Sequence, residues 1–156
     1  MSVSQQLFVR QVIERNRYLT LATCDAQNPW AAPLEYVSDD HLNLYFFSPE
    51  HAAHSTHIAS HPVVAVAIFD AVQPEYEPAE VIRIAGVQLT ATAQKLEMPF
   101  PRLVADKIAA WNLPMPPYAA FKITPEKWFV PVLNKGINER LEVNVATEPS
   151  GDKDHD

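Results

Sequence analysis

Between Tyr18 and Phe69 the chain is cut into four short apolar runs by clusters of turn-forming residues, and this punctuation restricts the fold more than any other feature. YLTLATC (18–24) is closed by Asp25-Ala26-Gln27-Asn28-Pro29, and the run from Trp30 to Val37 by Ser38-Asp39-Asp40-His41. LNLYFF (42–47) is closed by Ser48-Pro49. Runs of this length, rich in β-branched and aromatic residues and separated by Asp, Asn and Pro, read as strands of an antiparallel meander with short loops. VVAVAIF (63–69) is apolar on both faces and reads as a central buried strand. Glu80 to Leu96 reads as a long strand with Gly86 inside it, where a bulge or a barrel-type bend is expected. Ala119–Ile123, Lys127–Leu133 and Leu141–Val145 read as further strands.

Three short helices flank these runs. The first starts at a Ser2 or Ser4 cap and runs to Asn16, with Val3, Leu7, Val9, Val12 and Ile13 as its apolar stripe. The second covers Pro49 to Ser60, with Ser48 as N-cap and Pro49 as first helical residue, and the third covers Pro101 to Trp111. The predicted fold is mainly β: six to seven antiparallel strands, mostly hairpin-connected, with short flanking helices. Closing such a sheet into a barrel removes its exposed edges; an open α+β sandwich is the alternative. A single domain is expected over 1–146, followed by a disordered acidic tail over 147–156.

Composition excludes several function classes. The only glycines are Gly86, Gly136 and Gly151, so neither a P-loop nor a GxGxxG dinucleotide turn is present; both need clustered glycines for close backbone approach to phosphate. The formal net charge of −7 makes nucleic acid a poor partner. Cys24 is the one cysteine, which rules out an internal disulfide and a cysteine-based zinc site. No apolar stretch is long enough for a signal peptide or a membrane span, so a cytoplasmic protein without membrane contact is expected.

Local clusters have plain readings. His51, His54, His57 and His61 lie along one short helix, but side chains strung along a helix do not converge on one metal ion, and no metal is expected there. Cys24 reads as a small core residue. Tyr45-Phe46-Phe47 reads mostly as core, and Trp30, Trp111 and Trp128 as core or interface anchors. Glu75, Glu77 and Glu80, interleaved with Pro74 and Pro78, read as a solvated acidic loop rather than an acid–base pair.

The order of these features resembles the pyridoxamine-phosphate-oxidase-like FMN-binding split barrels. Leu21-Ala22-Thr23 followed by Asp25 and Pro29 is similar to the family's first hairpin, and Pro33 with Tyr36 to its second strand. The third strand ends in Ser48, a short helix follows, and His61-Pro62-Val63-Val64 opens the fourth strand. VIRIAGVQLTATAQKL (81–96) and PEKWFVPVLNKGINERL (125–141) resemble the later strands of small bacterial members.

The resemblance implies a split β-barrel homodimer with FMN in a groove between subunits. It places the flavin ring edge on backbone groups at Pro33, Leu34, Glu35 and Tyr36, and the phosphate at Ser48, His54 and Ser55. Trp128, Asn134 and Lys135 match the region contributed by the partner subunit. Unpaired N–H groups at a helix start suit an anion. The family sets a Lys or Arg on this helix, where this chain has Ala53 and His54, and no Lys or Arg occurs from Tyr18 through Ile82. A protonated His54 is one substitute; Arg83, Lys135 and Arg140 are others. The implied function is that of an FMN-dependent oxidoreductase using a small-molecule substrate or an electron donor such as a nicotinamide nucleotide, in which the flavin carries the electrons and no side-chain nucleophile is needed. The alternative is a non-catalytic dimeric flavin- or haem-binding protein on the same fold.

Overall fold

The computed structural model of the protein describes residues 3–70, 86–134 and 137–145. The elements follow as α1 (Val3–Arg15), β1 (Tyr18–Cys24), β2 (Pro29–Glu35), β3 (Val37–Ser38), β4 (Leu44–Pro49), α2 (Ala53–Ser60), β5 (Val63–Phe69), β6 (Gly86–Lys95), α3 (Arg102–Trp111), β7 (Tyr118–Asn134) and β8 (Ile137–Val143). The strands form one antiparallel sheet in the order β2-β1-β5-β6-β7-β4-β3, and β8 pairs with the end of β7. β2 and β3 lie at opposite ends of this path, yet only Tyr36 separates them in the chain. The sheet must therefore curl until its two ends meet, which makes it a split barrel. The first hairpin is set by Asp25, whose carboxylate accepts the N–H groups of Gln27 at 3.0 Å and Asn28 at 2.8 Å. Those bonds draw its pKa down to about 2.

The inner face is filled by alternate residues of each strand, among them Leu19, Leu21, Leu44, Phe46, Val66, Ile68, Leu89 and Ile123. α1 closes the barrel by burying Val9, Val12 and Ile13, while Leu7 of its expected stripe stays outside. Tyr36, at the joint between the sheet's ends, turns inward and donates its hydroxyl to the Ile13 carbonyl at 2.7 Å. α3 covers the outer face of β4 and β7 through a second cluster around Tyr45, Val104 and Ala120.

Several expectations change. Ala119–Leu133 is not two strands: β7 runs unbroken through Pro125. Thr90 faces Lys127 and Ala91 faces Pro125, so Glu126 is an extra residue and the bulge sits there rather than at Gly86. Gly86 instead permits close backbone approach, since a Cβ there would lie 2.6 Å from the Ile68 carbonyl oxygen. α2 begins at Ala53, not Pro49, and its N-cap is Ala52, which makes no side-chain cap bond. Pairing of Ser48 with Ala119 and of Pro49 with Tyr118 carries β4 past the expected cap. β5 is buried on one face only, leaving Val63 68% and Phe69 53% exposed. Cys24 is exposed, because strand alternation places it outward with Tyr18 and Ala22. Ser4 lies within α1. Ser2, the acidic loop with Glu75, Glu77 and Glu80, Arg83, Lys135 and the tail lie outside the described residues.

Candidate functional site

α2 follows β4 after a tight turn in which the Ala52 N–H bonds the Pro49 carbonyl at 3.1 Å. The turn brings the His54 ring back over the strand end, 2.7 Å from Nε2 to the Ser48 Oγ. Phe46 meets the same ring edge-on at 6.0 Å between centroids. His54 is 7% exposed, and burial, assisted by nearby His57, lowers its pKa below the ordinary 6.5. At neutral pH it is a hydrogen-bonding group in the free protein and not a resident cation.

The next residue has no such partner. Ser55 is 4% exposed, and its hydroxyl is the single buried side-chain polar atom without a hydrogen bond among the described residues. Leaving such a group dry and unpaired costs about 1–3 kcal/mol, so the site is one where a ligand atom or water has a place. Ser55 lines a cavity of about 460 Å³ together with Glu50, Thr56, Ile58, Lys95 and Phe121. Its lining mixes charged and polar groups with apolar side chains. The uncapped start of α2 adds N–H groups that have no acceptor within the helix.

His57 anchors the other side of α2. Its Nδ1 lies 3.1 Å from the Thr23 hydroxyl, and its Nε2 lies 3.7 Å from an Asp25 carboxylate oxygen. His51 and His61 are exposed. The four histidines thus point to different neighbours, and no three metal-ligating side chains gather among the described residues.

β2 is the terminal strand of the sheet path, so one row of its backbone groups faces away from any strand partner. Pro33 is exposed there, Leu34 and Glu35 are half-buried, and Glu35 accepts a hydrogen bond from Arg17 at 2.6 Å. The Tyr36 side chain is committed to the core. α2 packs against β1, β2 and β6; its His57 meets β1 at Thr23, which pairs with Trp30, whereas Pro33 to Glu35 pair with Thr20 to Tyr18 at the other end of β1. Trp128 lies apart: it is buried in the core and walls a different cavity, of about 370 Å³, with His41, Asn43 and Glu126. Asn134 ends β7 opposite Ile137. Arg140 donates to Gln88 at 3.0 Å and does not line the α2 cavity. Lys95 does, and the sequence reading missed it. The only local signal was a lone cation closing a long apolar-alternating strand.

Among the described residues, no helix or strand covers the outer face of β1 and β5. Tyr18, Val63 and Phe69 are exposed on it, with small residues such as Ala22 and Ala65 between them. No helix among the described residues is long and apolar enough to cross a membrane.

None of the curated proteins is similar enough to match this chain. Among solved structures, the haem storage protein HutZ from Vibrio cholerae is 19% identical, with a TM-score of 0.62 over 83% of this chain and 95% of that one. An FAD-binding protein from Mesorhizobium loti is 18% identical, with a TM-score of 0.58 over 82% and 92%. General Stress Protein 26 from Bacillus anthracis is 16% identical, with a TM-score of 0.63 over 89% and 100%. At these identities the likeness is one of fold. A sequence profile of pyridoxamine 5'-phosphate oxidase matches residues 8–130, from α1 into β7. That match takes in the strands that build the barrel and the helix that carries the site, and the chain belongs to the pyridoxamine 5'-phosphate oxidase family.

Proposed function

We propose that this protein is an FMN-binding oxidoreductase that works as a homodimer. The observation that carries the reading is the Ser55 hydroxyl, buried and unpartnered beside the uncapped start of α2. Ser55 and the first-turn N–H groups offer donors to a phosphate, and Ser48 fixes the His54 ring next to them. The exposed edge of β2 at Pro33 to Glu35 offers backbone groups to a flavin ring. The bound flavin would supply the redox chemistry, accepting and passing on a hydride. The chain's own part is to hold the cofactor and exclude water. The bare apolar face of β1 and β5 supports self-association, because a second copy burying Val63 and Phe69 removes apolar surface from water.

The test is a visible absorption titration of the untagged protein with FMN. A flavin band that shifts on binding, weakens in Ser55→Ala, and bleaches when a nicotinamide nucleotide is added is the expected result. A shift without bleaching supports flavin binding without turnover. No shift with FMN, together with a Soret change on adding haem, would overturn the flavin reading in favour of haem. In that case the His54 ring would have to leave Ser48 to reach iron through Nε2.

A further inference from the structure

We infer that Lys95, on β6, is the cation that holds the cofactor phosphate in this chain, and that Glu50 is its resident counter-ion until the phosphate displaces it. The inference rests on the flavin reading above and assigns a residue to it. α2 carries no Lys or Arg, nor does any residue from Tyr18 through Ile82. A phosphate at the start of α2 therefore needs a cation from another element, and pairing across the sheet supplies one. Val63 faces Thr92, so β6 runs three residues past the start of β5 and ends beneath α2 at Lys95. Lys95 faces Phe121 on β7, and Phe121 faces Phe46 on β4, two residues before Ser48. That places the Lys95 backbone two strand spacings from β4, roughly 10 Å, a distance that a lysine side chain and a phosphate together span.

The side chains agree with this placement. Lys95 is the only cationic residue lining the cavity that Ser55 lines. Its Nζ lies 3.1 Å from a Glu50 carboxylate oxygen, and both side chains are about half exposed. An ion pair in contact with water is weak and exchangeable. A phosphate monoester brings more charge and more acceptor oxygens than a single carboxylate, and meets the Ser55 hydroxyl and the helix N–H groups as well. Glu50 thus keeps the ammonium oriented at the mouth of the cavity in the free protein, and competes with the ligand for it.

The experiment measures dissociation constants of FMN and riboflavin, by quenching of flavin fluorescence, for the full chain and three variants. Riboflavin has the ring without the phosphate, so the ratio of the two constants isolates the phosphate contact. Lys95→Met is expected to weaken FMN roughly tenfold to a hundredfold and to leave riboflavin unchanged. Lys95→Arg is expected to restore most of the difference. Glu50→Gln is expected to tighten FMN severalfold by removing the competitor. Lys95 is a surface residue at a strand end, and circular dichroism checks that each variant keeps its sheet. An FMN-to-riboflavin ratio unaltered in Lys95→Met overturns the assignment while leaving flavin binding intact. A wild-type protein that binds neither flavin overturns the flavin reading, and this assignment with it.

Discussion

Phe46→Ala is the substitution that couples the core most directly to the site. Phe46 is fully buried, stacks on Phe121 with ring centroids 4.9 Å apart and planes 7° apart, and walls the His54 ring at 6.0 Å. Truncating a buried phenylalanine costs about 3–5 kcal/mol, as transfer energy and the residual cavity add. For a chain of this size each kcal/mol moves the melting temperature by roughly 2–4 °C, so the loss is expected to be of order 10 °C. Urea unfolding at fixed protein concentration, followed by circular dichroism, measures it directly; the midpoint should fall and the slope should not change. Phe46→Leu should cost only about 1–1.5 kcal/mol. Opening the wall also rehydrates His54, so its depressed pKa should rise toward 6.5, read from its ring protons by NMR. A loss below about 1.5 kcal/mol in Phe46→Ala, with an unmoved His54 titration, would refute the packing described.

Gly86→Ala should destabilise by about 1–3 kcal/mol, because the new Cβ meets the Ile68 carbonyl oxygen at 2.6 Å and Phe69 Cβ at 2.7 Å; an unchanged thermal melt would contradict that contact. The His54 pKa is lowered on folding, so the unfolded chain binds more protons than the native state below pH 6.5. Its contribution is fully present above that pH and declines as pH falls toward the folded value; the decline should be reduced in His54→Gln, as measured by urea midpoints across the range. Asp25 gives a separate limb, present above 3.8 and lost as pH falls toward about 2, which Asp25→Asn should remove. Val63→Lys and Phe69→Lys should each dissociate the proposed dimer without altering the sheet, seen as halved mass with unchanged far-ultraviolet circular dichroism.

The parts of the fold legible in the sequence are those set by neighbours along the chain. Asp25 to Pro29 announces the first hairpin because its carboxylate closes the turn on its own next residues. Alternation along β1 buries Leu19, Leu21 and Thr23 and turns Cys24 outward, whereas composition alone reads Cys24 as core. β5 shows where periodicity stops: it reports that both faces are apolar but not what covers the second one. Ser48 before Pro49 reads as a helix cap, yet pairing with Ala119 and Tyr118 of β7 extends β4 through both. The Ser48–His54–Ser55 grouping was visible because it is local. Lys95 was not, since only the pairing of β5, β6 and β7 brings it beneath α2.

The central claim is that a dimer of this chain holds a flavin, and sedimentation velocity of the protein mixed with FMN tests it most directly. Two signals are recorded together, protein absorbance and absorbance in the flavin band. The account predicts one boundary at twice the mass of the chain, with flavin travelling in it. A protein boundary at the mass of a single chain, or a flavin signal that stays with the solvent, would contradict it.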